Sequence, residues 1–123
     1  MKIGIIGSRE RNSWEDLILV ERVFAKLWRI GDLVVSGGCS RGGDKFAEML
    51  AFKYGGTAFP DNLLVFEPDW KKHGHAAAFM RNESIARESD ELIACLAPGG
   101  SRGTNDTIAK FRKLHPGNKV HIV

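Results

Sequence analysis

Residues 2–9 read Lys-Ile-Gly-Ile-Ile-Gly-Ser-Arg, a short β-branched run that ends in a glycine and two polar residues. Residues 3–6 contain no polar side chain, and neither do residues 33–35 and 92–96 further along the chain. A strand that helices cover on both faces has this uninterrupted pattern, whereas a strand with one solvated face alternates. The three runs therefore predict strands of a parallel sheet that lies between two layers of helices.

Helical patterns separate these runs. After Ser13, which is expected to cap a helix, apolar residues recur at helical spacing until Gly31. Further helices are predicted at about 44–54, 76–87 and 105–114, and strands at 2–6, 33–36, 63–66, 91–96 and 119–123. We therefore expect one α/β domain over residues 1–123. Its fold would be a Rossmann-like, doubly wound, five-stranded parallel sheet of order 3-2-1-4-5, with helices on both faces.

The composition is that of an ordinary globular chain. Its 123 residues suffice for one domain, and 43% hydrophobic residues exclude general disorder. Eighteen Lys and Arg against fifteen Asp and Glu leave a net charge of +3, which favours neither a nucleic-acid nor a membrane surface. No apolar run approaches the roughly 18 residues of a membrane span. Cys39 and Cys95 have no metal-binding spacing, so we expect free thiols and a cytoplasmic location.

Three glycine-rich loops follow strands 1, 2 and 4 of the predicted sheet. In open α/β sheets, ligands bind outside the carboxyl ends of the strands, where the winding reverses. Glycine lets backbone amides approach a ligand, and the arginine guanidinium matches phosphate. Turn geometry alone explains any single loop, but three loops of the same chemistry favour an anion site. Each loop contains one Ser-Arg pair: Ser8-Arg9, Ser40-Arg41 and Ser101-Arg102.

Familiar cofactor and metal motifs do not fit these loops. Gly38 and Gly43 have the P-loop spacing, but Asp44 follows in place of the lysine. The first strand lacks the G-x-G-x-x-G of dinucleotide enzymes. Asp69, His73 and His75 match no standard metal spacing. No cofactor and no metal are predicted.

Six short motifs are spread over nearly the whole chain. They are Gly7-Ser8-Arg9, Ser36-Gly37-Gly38, GDKFA at 43–47, DWKKHG at 69–74, Arg81-Asn82 and PGGSRGTND at 98–106. Together and in this order, these motifs resemble the YspA/YpsA-related SLOG family. The resemblance implies a Rossmann-like fold, within a superfamily that includes the LOG phosphoribohydrolases and the DprA DNA-processing proteins. It implies binding of nucleotides or nucleotide-derived molecules, and no established reaction.

The leading hypothesis is therefore a module that binds a nucleotide-like small molecule at the carboxyl edge of the sheet. The loop 98–104 would hold a phosphate, with further donors from the first loop, and the motifs after strand 3 would hold the sugar or base. The predicted ligand-binding residues are Gly7, Ser8, Arg9, Gly37, Gly38, Asp69, Trp70, Arg81, Asn82, Pro98, Gly99, Gly100, Arg102, Gly103 and Thr104.

Structural roles compete with these assignments. Asp44 lies at the start of a predicted helix and is expected to be its N-cap. In the structural interpretation, Trp70 packs over the sheet end and Asp69 pairs with Arg81 or caps a turn. The sequence favours neither this interpretation nor the one in which these residues contact the ligand.

The enzymatic alternative is a LOG-like phosphoribohydrolase that cleaves the N-glycosidic bond of a nucleoside monophosphate. The LOG motif P-G-G-x-G-T-x-x-E has a glutamate where this chain has Thr107, and the lysine that follows the helix arginine is replaced by Asn82. Asp106 is the nearest carboxylate and the candidate catalytic residue. One residue rotates a helix position by about 100°, and Asp106 equally suits a helix cap.

Two further possibilities concern partners. A DprA-like module that binds single-stranded DNA is a second alternative. The net charge of +3 does not favour it, because it is modest for a protein that binds nucleic acid. The sequence also leaves open a homodimer through Trp14, Trp28 or residues 76–80.

Overall fold

Five parallel strands form the centre of the protein, which is described by a computed structural model of residues 1–123. The strands are β1 (Lys2–Gly7), β2 (Leu33–Ser36), β3 (Leu63–Val65), β4 (Glu91–Cys95) and β5 (Val120–Ile122). The helices are α1 (Trp14–Leu27), α2 (Gly43–Gly55), α3 (Trp70–His73), α4 (Ala77–Glu88) and α5 (Arg102–Leu114). Short 3-10 turns span Gly56–Ala58 and Gly74–Ala76. None of the helices has both the length and the apolar character of a membrane span.

The strand order is β3-β2-β1-β4-β5, and all four pairings are parallel. Alternate residues of the central strands enter two separate cores. Ile5 and Ile93 pack with residues of α1 and α2 on one face, and Val35 and Leu92 pack with residues of α4 and α5 on the other. The predicted Rossmann-like architecture is confirmed. Because α1 and α2 lie on one face and α4 and α5 on the other, the winding reverses between β1 and β4.

The helices differ from the expectation at three places. Helix α5 begins at Arg102, three residues before the predicted start, because the Ser101 hydroxyl caps it by accepting from the Thr104 amide at 3.4 Å. The polar loop before α4 contains the short helix α3, which was not predicted. Helix α1 does not continue to Gly31 as expected but ends at Leu27, and its C-cap Trp28 stacks on Phe24, with ring centroids 5.3 Å apart.

Helix α2 approaches the backbone of β1 so closely that only glycine fits at its first position. A Cβ at Gly43 would lie 2.1 Å from the carbonyl carbon of Ile6 and 2.3 Å from the amide nitrogen of Gly7. The preceding residue, Gly42, has φ of +69°, and a Cβ there would lie 2.5 Å from the Ser8 carbonyl oxygen. This approach brings the N-terminus of α2 to the carboxyl end of β1, beside the point where the winding reverses.

Candidate functional site

A polar cleft of about 330 Å³ opens at the carboxyl end of β1, between the two helical layers. We call it the switch-point cleft. Residues 7–10 of the loop after β1 form one side, and Cys39, Arg41 and Asp44 contribute from the loop and helix after β2. The opposite side comes from α4 and from the N-terminal part of α5. The cleft therefore lies where ligands bind in open α/β sheets.

Three arginines and two carboxylates line the cleft. Arg9 and Arg41 are exposed, and neither has a hydrogen-bond or ion-pair partner in the protein. An arginine without a carboxylate partner keeps all its donors for a ligand, and its fork geometry matches phosphate. The two cations make the cleft suited to an anion.

Arg81 on α4 joins the two helical layers. Its Nη1 donates to the Gly37 carbonyl oxygen at 2.8 Å, and its Nε donates to the side-chain oxygen of Asn82 at 3.0 Å. Its guanidinium also lies 3.9 Å from the Asp44 carboxylate. Arg81 therefore fixes the loop after β2 against α4, in addition to forming part of the cleft wall.

The sequence predicted the wrong structural role for Asp44. The N-cap of α2 is Gly42, so the expected capping role is wrong. The Asp44 carboxylate turns back instead and accepts from the Gly37 amide at 3.1 Å and the Cys39 amide at 3.0 Å. These bonds close the loop after β2, which explains why a carboxylate is needed at this position.

The environment of Asp44 changes its ionisation. Burial raises the pKa of its carboxyl, although the amides of Cys39 and Gly37 and the charges of Arg81 and Arg9 oppose the rise. Its side chain is 14% exposed, and it lines the cleft. A signal for this role was present in the sequence, since Asp44 directly follows the glycines of a loop that borders the winding reversal.

The N-terminus of α5 also faces the cleft. Gly103 and Thr104 in its first turn line the cleft, together with Thr107 one turn later. The amides of Arg102 and Gly103 have no acceptor within the protein, as is usual for the first turn of a helix. A Cβ at Gly103 would meet no atom within 4 Å, so the missing side chain leaves open space beside these amides.

Seven of the predicted ligand-binding residues lie together along the cleft. Ser8 among them is 3% exposed, and its hydroxyl accepts from the Ala97 amide at 3.0 Å, so it also joins the loops after β1 and β4. Asn82 is 4% exposed and donates to the Asp106 carboxylate at 3.1 Å. The seven residues are Gly7, Ser8, Arg9, Arg81, Asn82, Gly103 and Thr104.

The other predicted glycines do not line the cleft. Gly37 is buried beneath Arg81 and Asp44, and Gly38, with φ of +80°, packs near Glu67. Residues 97–100 form a turn in which the Gly100 amide donates to the Ala97 carbonyl oxygen at 2.8 Å. Pro98 at the second position and Gly99 at the third, with φ of +83°, match a type II turn. Turn geometry therefore explains Pro98, Gly99 and Gly100.

Arg102 and Trp70 lie away from the cleft. The Arg102 guanidinium stacks on the exposed Phe79 ring, 5.3 Å from its centroid, and neither residue lines the cleft. Trp70 is 55% exposed, so the expectation that it packs over the sheet end is wrong.

Asp69 has the structural role that was its alternative. It is the N-cap of α3, and its carboxylate accepts from the Lys72 amide at 3.1 Å. It lines a second hollow of about 290 Å³, which Arg81 separates from the switch-point cleft by lining both. Of the two structural roles expected for Asp69, the structure therefore shows the cap and not the pair with Arg81, which approaches Asp44 instead.

Asp106 lies on α5 outside the cleft lining. Its carboxylate accepts from Lys110 Nζ at 2.6 Å and from the Asn82 side chain at 3.1 Å. It does not cap α5, because Ser101 does. Both of its carboxylate contacts are within the α4–α5 pair, which leaves Asp44 and Glu10 as the carboxylates of the cleft.

A larger cavity of about 620 Å³ lies at the opposite edge of the sheet, beside Trp28, Tyr54 and Asn62. Its one cationic side chain, Lys53, is paired with Glu21 at 2.6 Å. Because no cation there is free for a ligand, the switch-point cleft is the better candidate for an anion.

No family model, curated protein or solved structure matches this chain. The fold and the cleft define a Rossmann-like α/β protein with a polar site where its winding reverses, and the relationship to the SLOG family stays a prediction.

Proposed function

We propose that this protein binds a nucleotide or a nucleotide-derived metabolite in the switch-point cleft. The unpaired arginines carry the proposal, because Arg9 and Arg41 line the cleft and neither forms an ion pair or hydrogen bond with a protein carboxylate. The free amides of Arg102 and Gly103 add donors at the N-terminus of a 13-residue helix. A phosphate group accepts from both kinds of donor at once.

The size of the cleft supports a small ligand. Its volume of about 330 Å³ is near the lower end of the ~300–1,000 Å³ that is usual for small-molecule sites. A mononucleotide suits this volume better than a dinucleotide cofactor. Most of the residues that line the cleft are polar or charged, as recognition of a phosphorylated ligand requires.

The substitution Gly103→Ala tests the phosphate position. The new methyl group would occupy the open space beside the free α5 amides, so titration calorimetry with AMP should show at least about tenfold weaker binding, the loss of one charge-assisted hydrogen bond. The thermal midpoint should stay the same or rise, because alanine favours a helix over glycine. The matched control is Ala109→Ser on the exposed side of the same helix, which should bind AMP like the wild type.

Two results would contradict the proposal. One is an unchanged AMP affinity in Gly103→Ala. The other is a wild-type protein that binds none of AMP, ADP and ATP at millimolar concentration and carries no nucleotide in native mass spectrometry of the freshly purified protein.

A phosphoribohydrolase activity is the second candidate, and one observation favours it. Asp44 is a largely buried carboxyl in the cleft whose pKa is raised by burial, which is the kind of group that activates water or stabilises a cation-like sugar. In that reaction water adds to C1′ of the ribose, the bond from C1′ to the base breaks, and the base takes up a proton. The activity would be supported if the wild type releases adenine from AMP and Asp44→Asn does not. Asp106→Asn would test only the assignment of Asp106 as the catalytic residue, which was made from the sequence.

The cleft does not favour the DNA-binding alternative. Single-strand-binding proteins stack successive bases on aromatic side chains, and no residue that lines the cleft is aromatic.

Location and assembly remain proposals as well. Cys39 and Cys95 are free thiols, which suits a reducing cytoplasm. Of the residues predicted for a homodimer, Trp14 is 72% exposed and Met80 is exposed, whereas Trp28 is half-buried in the aromatic cluster.

A further inference from the structure

The switch-point cleft contains no aromatic side chain on which a nucleobase would stack. Its apolar lining consists of aliphatic and alanine side chains, namely Ile6, Ala78 and Ile85, and Cys39 adds a thiol. Proteins that read a base commonly hold it against an aromatic face or an arginine plane. The aromatic side chain predicted for that task, Trp70, lines neither this cleft nor the neighbouring hollow.

The arginines of the cleft have other tasks. Arg81 is held by the Gly37 carbonyl oxygen and the Asn82 side chain, and Arg9 and Arg41 are assigned to the phosphate in the proposed function. The cleft is therefore built for the part of a nucleotide that is not the base.

Asp44 differs chemically from the phosphate-binding groups of the cleft. An anion is repelled by the carboxylate of Asp44 and attracted by Arg9, Arg41 and the α5 amides, so a phosphate is bound by these groups and not by Asp44. Each Asp44 oxygen already accepts one amide hydrogen, from Gly37 or Cys39, and has capacity for a second donor. Asp44 thus takes hydrogen-bond donors from the ligand.

The donors that reach Asp44 must be neutral. Arg9 and Arg81 are the two positive charges that act on its carboxylate. A ligand ammonium group placed there would be repelled by both guanidinium groups, whereas a hydroxyl group would not. A pair of neighbouring hydroxyls matches the two fixed oxygens of the carboxylate.

From these observations, and building on the proposed nucleotide binding, we infer that the cleft recognises a sugar phosphate, with the phosphate at the α5 amides and the sugar hydroxyls on Asp44. The base of a nucleotide lies outside the cleft and adds little to affinity. The ligand class is then a 5-phosphorylated pentose, free or as part of any nucleoside monophosphate. Selectivity among nucleotides is for ribose over hydroxyl-deficient sugars, and not for one base over another.

A ligand panel on the unmodified protein tests this inference by calorimetry. AMP, CMP and ribose 5-phosphate should bind within about threefold of one another, because they share the part that the cleft contacts. The 5′-monophosphate of 2′,3′-dideoxyadenosine should bind at least about tenfold more weakly than AMP, since hydrogen bonds to a charged group are lost. Adenosine, which has the hydroxyls but no phosphate, should also bind at least about tenfold more weakly.

The variant Asp44→Asn tests the residue. It should remove the preference for AMP over the dideoxy compound, because the amide nitrogen of asparagine cannot accept a hydrogen bond. Asp61→Asn, an exposed aspartate at the other edge of the sheet, is the matched control and should keep the full preference. The panel on the wild-type protein decides the matter even if the Asp44 variant does not fold.

The outcomes separate this inference from the proposed function. If AMP binds and the dideoxy compound binds equally well, or if affinity changes more than about tenfold between AMP and CMP, the sugar-phosphate assignment is overturned while nucleotide binding stands. If no member of the panel binds, both are overturned.

Discussion

Ser40-Arg41-Gly42 and Ser101-Arg102-Gly103 are the same tripeptide before or at the start of two helices, and the protein uses them differently. In the first, the glycine is the N-cap of α2, with φ of +69°, and packs against the Ser8 carbonyl oxygen. In the second, the serine is the N-cap of α5, and the glycine lies within the helix beside open space.

The two arginines show the reverse of the two glycines: the first is free and the second is packed. Arg41 lines the switch-point cleft, whereas Arg102 stacks on Phe79 outside it. A shared motif therefore does not define a shared role. What packs against each segment decides whether its glycine serves close packing or ligand access, and whether its arginine is free. Four predictions test this contrast.

The largest effect is expected for alanine at the first position of α2. Gly43→Ala places a methyl group within 2.1 Å of the β1 backbone, which cannot move aside like a side chain, so stability should fall by at least about 3 kcal/mol. Gly103→Ala at the start of α5 should instead leave stability equal or raise it by up to about 1 kcal/mol. Urea unfolding of both variants measures the difference, and a loss below about 1 kcal/mol for Gly43→Ala would contradict the packing argument.

The two arginines give the next contrast. Arg41→Ala should weaken AMP binding by roughly tenfold or more, because it removes a charged donor from the cleft. Arg102→Ala should change the affinity less than about twofold and cost about 0.5–1 kcal/mol of stability through the lost contact with Phe79. Calorimetry and urea unfolding measure the two quantities. Equal losses of affinity in both variants would mean that Arg102 turns into the cleft when ligand binds.

The serines should differ by a smaller amount. Ser101→Ala removes the cap of α5 and should cost about 1 kcal/mol, whereas Ser40→Ala removes no hydrogen bond and should stay within about 0.5 kcal/mol of the wild type. Thermal or urea unfolding shows the difference. A cost at Ser40 as large as that at Ser101 would show that the two segments are capped alike.

The last contrast is in pH dependence, because Asp44 follows the first segment and its counterpart after the second is the uncharged Asn105. Burial raises the folded-state pKa of Asp44 above its ordinary value of 3.8, so the folded protein binds more protons than the unfolded chain between the ordinary and the raised pKa. The contribution of Asp44 to stability is therefore largest below pH 3.8 and falls as the pH rises through the folded pKa.

The difference between wild type and Asp44→Asn isolates this effect. Asp16 and Glu21 act in the opposite direction. The pKa of Asp16 is lowered because hydrogen bonds from Ser13 and Arg11 outweigh its burial, and that of Glu21 is lowered mainly by Lys53. Both contributions are common to the two proteins and cancel. In urea unfolding from about pH 3.5 to 7, the wild type should lose stability relative to the variant as the pH rises; a difference independent of pH would contradict the raised pKa.

Much of the architecture could be predicted because its signals are local. Uninterrupted apolar runs such as residues 92–96 identify strands covered on both faces, and the alternation with helical patterns predicts a parallel sheet. The usual strand order of such a sheet, which the structure has, then indicated where the winding reverses. The positions of Gly7, Arg9, Gly103 and Thr104 at that edge follow from their places just after β1 and β4. The short helix α3 was missed, since four residues are too few to show a helical period.

The details of the site could not be predicted in the same way. A carboxylate in the first turn of a helix favours capping, but Asp44 accepts from Gly37 and Cys39 because the loop after β2 folds back over it. Pro98 and Gly99 were predicted to hold a phosphate, but they form a turn. Arg102 was predicted to contact the ligand, but it stacks on the exposed ring of Phe79 on a different helix.

The sequence by itself determined the strands, the helices and their layered arrangement, because burial and periodicity are properties of each segment and its neighbours along the chain. The usual strand order for that arrangement then indicated the edge of the sheet that carries the cleft. Only the tertiary structure decided which amides stay free and which side chains enter the cleft. Those outcomes depend on the approach of elements far apart in sequence, such as the contact of Gly43 with the backbone of β1 and that of Arg81 with Gly37.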